Sequence, residues 1–200
     1  MPDSTANARA VFKKRGGTLR TSEALAAGIH PRVLYEMRDA GELEQLARGV
    51  YRLASLPPLS DPDLATVAKR VPQGVVCLIS ALAFHELTTQ IPHEVHVALP
   101  RTARVPVLEY PPVRIYRFSK DSFEAGIETH SLDDVSVRIY SAEKTIADCF
   151  KFCNKIGLDV ALEALKTYRA LRRPQLQQVL EFARICRVEK VVRPYLEASA

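Results

Sequence analysis

Apolar residues recur at helical spacing near both ends of the chain and alternate in parts of its middle, which predicts a helical start, a mixed centre and a helical finish. Ala8, Val11 and Phe12 at i, i+3, i+4 predict a first helix that ends in Lys13-Lys14-Arg15 before Gly16-Gly17. Two short helices follow. Thr21 caps the first, Ser22–Ala27, with Glu23 in its first turn beside the positive end of the helix dipole. Gly28 and Ile29 make the turn, and His30–Pro31 opens the second, because proline is tolerated at a first helical position. There Val33, Leu34 and Met37 form a buried stripe and leave Arg32, Tyr35, Glu36 and Asp39 outward. Gly41 ends the helix, and Leu43–Leu46 and Val50–Leu53 pair as strands around the three-residue loop Ala47-Arg48-Gly49, whose glycine takes the left-handed position. Helix, tight turn, helix and β-ribbon, in that order, are the elements of a winged helix-turn-helix.

After the stiff link Leu56-Pro57-Pro58-Leu59-Ser60, a helix with Pro62 in its first turn runs to about Arg70. Val75–Leu78 reads as a short buried strand or the lead-in to a helix, and Ser80–Leu87 as a core helix in which His85 reads as a hydrogen-bonded core or boundary residue, with a catalytic base as the alternative. Glu94–Leu99, Val113–Phe118 and Val135–Tyr140 alternate as strands, with Gly126–His130 as a further one. Asp133-Asp134 falls in a turn. Ser141 caps a helix whose core face is Ile146, Cys149, Phe150 and Cys153, and Lys144 with Asp148 at i, i+4 reads as a surface ion pair worth about 0.3–0.5 kcal/mol. From Gly157 onward the pattern is helical, with Leu158, Leu162 and Leu165 inward and another helix opened by Pro174, with Leu176, Val179, Leu180 and Ala183 inward. The fold class is therefore α+β, divided into a DNA-binding domain over 1–56 and a second domain over 57–200 with a small sheet and a helical C-terminal part.

Composition adds little to this picture and charge adds more. With 47% hydrophobic and 26% charged residues the chain is an ordinary globular one, and no apolar run is long enough for a membrane span. The start carries no apolar secretory segment, so a cytoplasmic location is expected. Cys77, Cys149, Cys153 and Cys186 do not form a disulfide framework and read as reduced thiols, with no metal site expected. Lys and Arg outnumber Asp and Glu by nine to six over 1–56, trail them by nine to twelve over 57–150, and exceed them by ten to five over 151–200. Two basic ends suit contact with a polyanion.

The candidate DNA contacts are Lys13, Lys14, Arg20, Thr21, Ser22, His30, Arg32, Tyr35, Glu36, Arg48 and Arg52. Arg32 and Tyr35 stand on the outward face of the second helix, where an arginine donates two hydrogen bonds to guanine, and Arg48 and Arg52 on the ribbon are placed for phosphates or a minor groove. The bland alternative is a small helical subdomain for protein contact. Lys166, Arg169 and Arg173 recur along one helix face with Arg172 beside them, either a solvated stripe or a partner-binding face. No phosphate loop, dinucleotide fingerprint, zinc-hydrolase or serine-hydrolase motif is present, so a non-enzymatic protein without cofactor is expected. His93 and His96, three apart in a strand, point to opposite faces.

The stretch from Leu19 to Leu53, above all GELEQLARGVYRL from Gly41, resembles the N-terminal winged helix of the AbiEi antitoxin family. SALAFHEL with Gln90-Ile91-Pro92, and VRIYSAEKTIADCF over Val137–Phe150, are similar to that family's C-terminal domain. The resemblance spans about residues 6 to 185. It implies a bacterial type IV toxin–antitoxin or abortive-infection role, in which the winged helix binds inverted repeats upstream of its own operon and represses it. It implies also that the C-terminal domain opposes a co-encoded nucleotidyltransferase toxin, generally without a stable complex. Arg32 and Tyr35 then fall on the recognition helix and Arg48 on the wing, whereas no antitoxin residue transfers. The alternative is a transcriptional regulator whose C-terminal domain senses a small molecule.

Overall fold

Residues 4–105 and 107–197 are described in the computed structural model of the chain. They form a mixed α+β structure with a three-stranded and a five-stranded sheet, and the chain divides into two units.

The first unit comprises residues 1–72, 106–111 and 130–137. Helix α1 (Ser4–Lys14) is followed by strand β1 (Thr18–Arg20), helices α2 (Thr21–Ala26) and α3 (Pro31–Asp39), strands β2 (Leu43–Ala47) and β3 (Val50–Leu53), and helix α4 (Pro62–Arg70). Phe12, Leu19, Ala24, Ile29, Leu34, Met37 and Leu53 are buried together as its core, so the apolar stripe expected on α3 does face inward. Gly28 and Gly41, with φ of 84° and 73°, terminate α2 and α3 in a conformation that other residues adopt only at a cost. The helix start differs by one residue from expectation. Arg20 occupies the cap position, its N–H donating to Glu23 Oε2 at 2.8 Å, and Thr21 is the first helical residue. The proline-rich link and α4 lie inside this unit, beyond residue 56.

Within this unit, strand β1 is not announced by the apolar pattern. It is three residues long, and it pairs with β3 to give the sheet order β1-β3-β2. Strand β3 is therefore central, and all four of its residues are buried. Strand β2 runs one residue further than expected, with a register shift between Gln45 and Ala47, so that Arg48-Gly49 is a two-residue turn with Gly49 at φ 76°.

The second unit comprises residues 73–105, 112–129 and 138–200. Strand β4 (Val75–Val76) leads through Cys77 into helix α5 (Leu78–Phe84), so the stretch expected as a strand or a helix lead-in is both. Strands β5 (Val95–Pro100) and β6 (Val113–Phe118), helix α6 (Lys120–Glu124), and strands β7 (Ile127–Leu132) and β8 (Val135–Tyr140), whose residues 130–137 are counted in the first unit, follow. The strand order is β6-β5-β4-β8-β7. Asp133 and Asp134, with φ of 48° and 63°, form the turn between β7 and β8. Helices α7 (Ala142–Lys151), α8 (Cys153–Ile156), α9 (Leu158–Arg169), α10 (Leu176–Ile185) and α11 (Glu189–Glu197) complete the chain. Ser141 caps α7 by accepting from Lys144 N at 3.2 Å, as expected. His85 places Nε2 2.8 Å from the Tyr140 carbonyl, in keeping with a hydrogen-bonded boundary residue. On α9 the inward residues are Val160, Ala161, Ala164, Leu165 and Tyr168, a face offset from the expected one, and Leu158 is exposed.

The largest departure is at Lys144 and Asp148. Both side chains are 0% exposed, with Nζ 2.5 Å from Oδ2, at the centre of α7 rather than on a surface. Every residue from Lys144 to Phe150 is buried, because α7 is covered by α5, α9 and α10. The ammonium lies 4.2 Å from the Tyr140 ring centroid and 5.0 Å from that of Phe118. The other carboxylate oxygen of Asp148 accepts from Cys186 Sγ at 3.2 Å. Burial raises the Asp148 carboxyl above the usual aspartate range, against the opposing pull of Lys144. Gly126 leaves room for this lysine: a Cβ there would stand 2.7 Å from Lys144 Cβ.

Candidate nucleic-acid interface

In the first unit the outward polar side chains of α3 and of the turn between β2 and β3 are open to solvent. On α3, His30 caps the helix with Nδ1 accepting from Arg32 N at 3.2 Å, which fixes the first turn. Arg32 and Glu36 are 82% and 50% exposed and pair through Nε and Oε1 at 2.8 Å. Tyr35 is exposed one position before Glu36, and the Arg38 guanidinium lies 5.2 Å from its ring centroid. The outward face expected for Arg32, Tyr35, Glu36 and Asp39 is thus the face observed.

Arg48 is exposed at the turn between β2 and β3. Its backbone is held from behind: Arg70 Nη1 donates to the Arg48 carbonyl at 2.7 Å, and Nη2 to the Val107 carbonyl at 3.2 Å. Thr21 N donates to the Gly49 carbonyl at 2.9 Å and its hydroxyl to the same oxygen at 3.4 Å, so Thr21 anchors the turn to the start of α2. Sequence inspection missed Arg70, and no signal short of the tertiary contact marks it. Glu23 accepts from Lys69 Nζ at 3.3 Å as well as from Arg20 N. Burial works against ionisation of Glu23, and the hydrogen bond from Arg20 with the charge of Lys69 outweighs it, so the group titrates below the usual glutamate range.

The other expected contacts divide. Lys13, Lys14 and Ser22 are exposed, and Arg20 is half-buried with Nη2 3.4 Å from Glu23 Oε1. Arg52 is not at the surface. It is 5% exposed, donates from Nη2 to the Pro57 carbonyl at 2.7 Å, and lies between Thr18 of β1 and Glu44 of β2. It holds the central strand to the chain beyond it, and is unavailable to a phosphate.

In the second unit the basic stripe does not persist. Helix α9 ends at Arg169, so Arg172 and Arg173 are exposed residues of the following turn, and Lys166 is exposed on the helix. Arg169 donates to the Tyr195 and Leu196 carbonyls at 3.2 and 2.7 Å, satisfying the last turn of α11. Cys77, Cys149 and Cys186 are buried free thiols and Cys153 is partly buried. Among the described residues, no group of three or more His, Cys, Asp or Glu is placed to hold a metal, and no helix is long and apolar enough to cross a membrane.

With this geometry in place the comparisons with known proteins acquire a structural meaning. Residues 8–54, from the middle of α1 to the end of β3, match the family model described as "Transcriptional regulator, AbiEi antitoxin". Over these residues the chain is similar to the AbiEi antitoxin family. The AbiEi segment contains the exposed face of α3 and the Arg48 turn, and its order of elements is consistent with a winged helix-turn-helix. No curated protein sequence matches the chain. Among solved structures, the RV2827C protein from Mycobacterium tuberculosis is similar over 98% of this chain and 81% of its own, with 13% identity and a TM-score of 0.54. That likeness concerns the fold.

Proposed function

We propose that the protein is a DNA-binding antitoxin that represses its own operon, acting by binding rather than by catalysis. The carrying observation is the exposed Arg32, Tyr35 and Glu36 face of α3, in the same AbiEi segment as the exposed Arg48 turn. In this reading the AbiEi segment is a winged helix-turn-helix. Helix α3 enters a major groove, with Arg32 exchanging its Glu36 partner for a guanine edge and Tyr35 beside it. Arg48 meets a phosphate or a minor groove, and Lys13 and Lys14 contact the backbone. Inverted repeats upstream of the operon are the DNA target. The second unit opposes a co-encoded nucleotidyltransferase toxin without forming a stable complex, and Lys166, Arg172 and Arg173 remain exposed for such a role.

The test is a gel-shift titration on the protein's own upstream DNA against a scrambled duplex at two salt concentrations, followed by co-expression with the neighbouring toxin. Preference for the upstream DNA that survives the higher salt is the expected result. Equal, salt-labile binding to both duplexes would reduce the basic surface to nonspecific attraction.

A further inference from the structure

The second unit contains a cavity of about 370 Å³, within the size range of small-molecule sites. Part of its wall comes from β5 and β6, which run parallel with His96 opposite Arg114. Side chains two apart on a strand share a face, so Tyr116 joins them, its ring centroid 5.2 Å from that of His96. His96 is 4% exposed, and its Nδ1 has no hydrogen-bond partner among the described residues. The buried Tyr116 hydroxyl has none either. Two orphaned polar atoms on one short stretch of sheet are costly, and such groups are normally satisfied.

The charges at the cavity point one way. Arg114 and Lys155 both line it, and Lys155 makes ring contacts with Tyr116 and Phe152 but no ion pair among the described residues. Glu94 is the one carboxylate among the lining residues, 3.2 Å from Arg114 Nη1 and 3.7 Å from His96 Nε2. One of the two cations is thus left over. Ile91, 83% exposed, and Ile156 supply apolar wall around them.

We propose that this cavity binds a small anion carried on a flat apolar body. Lys155 and Arg114 hold the phosphate or carboxylate, the His96 ring forms part of the wall beside them, and Ile91 and Ile156 cover the apolar part. The site is independent of the operator reading, since no residue of it belongs to the AbiEi segment.

Calorimetric titration of the whole protein with 1-naphthyl phosphate, 1-naphthoate and 1-naphthol tests it, with the imidazole NMR signals of His96 as a second readout. At least one anion is expected to bind and shift the His96 signals, with naphthol about tenfold weaker or more. Arg114→Gln and Lys155→Gln, at exposed side chains, are expected to keep the melting temperature and to weaken the anion about tenfold each. The preferred anion distinguishes a phosphoester from a carboxylic acid as the natural ligand class. Absence of binding by both anions, equal binding of naphthol, or unchanged affinity in the double variant would overturn the proposal. Gel shifts on the same variants keep its failure distinct from failure of the operator reading.

Discussion

Arg32–Glu36 on α3 and Lys144–Asp148 on α7 are the same device in sequence, a cation and a carboxylate four residues apart on a helix, and they occupy opposite surroundings. The first pair is 82% and 50% exposed; the second is 0% exposed on both sides. In water the charges of the first are screened and replaceable, so the pair contributes a few tenths of a kcal/mol at most, about 0.3–0.5, and Arg32 is free to leave Glu36 for another acceptor. In the core neither partner has water to fall back on, and each is tied to the other by desolvation. Identical spacing therefore marks an exposed, replaceable pair in one unit and a core fastening in the other.

The largest effect is expected where the buried pair is broken. Lys144→Ala should destabilise the protein by about 3–5 kcal/mol, because the fully buried Asp148 loses its cation and keeps only the Cys186 thiol as a partner. For a chain of this size that lowers the melting temperature by roughly 10 °C. Lys144→Met combined with Asp148→Leu should recover most of the loss, since apolar replacements of both partners are often neutral. A double variant no more stable than the single one would contradict this account of the core.

At the exposed pair the effect moves from stability to binding. Arg32→Ala should leave unfolding within about 0.5 kcal/mol of the parent while weakening operator binding by about 1–3 kcal/mol and relaxing sequence preference. Unchanged operator affinity would remove α3 from the interface. A smaller version of the contrast lies within one sheet. Arg52→Ala should cost about 1–3 kcal/mol of stability through the orphaned Pro57 carbonyl and lost packing, with the salt dependence of DNA binding retained. Arg48→Ala should do the reverse, flattening the logarithmic salt slope by about one and leaving the urea midpoint unchanged.

The smallest effect is a pH dependence at an exposed carboxylate. Asp133 accepts from Ser60 N and Oγ at 2.8 and 2.7 Å, and the backbone hydrogen bond, followed by the hydroxyl, holds its carboxyl below the usual range. A depressed folded-state pKa contributes stability above the unfolded value, about 3.9, and loses it as pH falls through the lower folded value. Urea midpoints of the parent and Asp133→Asn should therefore differ at pH 7 and converge towards pH 3. A gap that stays constant would show that the charge of Asp133 has no part in holding Ser60.

Much of the first unit was legible because its signals are local. Gly28, Pro31 and Gly41 punctuate the helices through backbone geometry, and Val33, Leu34 and Met37 fix which side of α3 is inward. The ribbon was legible too, from alternation and a glycine turn. What escaped was β1, whose three residues are too few to show a period, and the error at Arg52 follows from it: a strand expected at an edge becomes central once β1 pairs with it. Beyond the ribbon the strands Val113–Phe118 and Val135–Tyr140 were legible from alternation, whereas α6 and α8 were not, and α11 was covered only by the general helical reading from Gly157 onward. The basic spacing of Lys166, Arg169 and Arg173 was real in sequence but ended with the helix at Arg169, whose guanidinium is held by carbonyls of α11.

The sequence by itself determined the periods, the breaks between elements, and the AbiEi character of the first quarter of the chain, because these depend on neighbours within a few residues. Only the tertiary structure decided which charges meet water. Lys144, Asp148 and Arg52 are buried by segments brought together by the fold, and Arg32 and Arg48 are exposed because none of the described residues folds over them. The free energy of a charge is set by the solvent it loses and the partners that replace it, and neither quantity is encoded in the spacing that first draws attention to it.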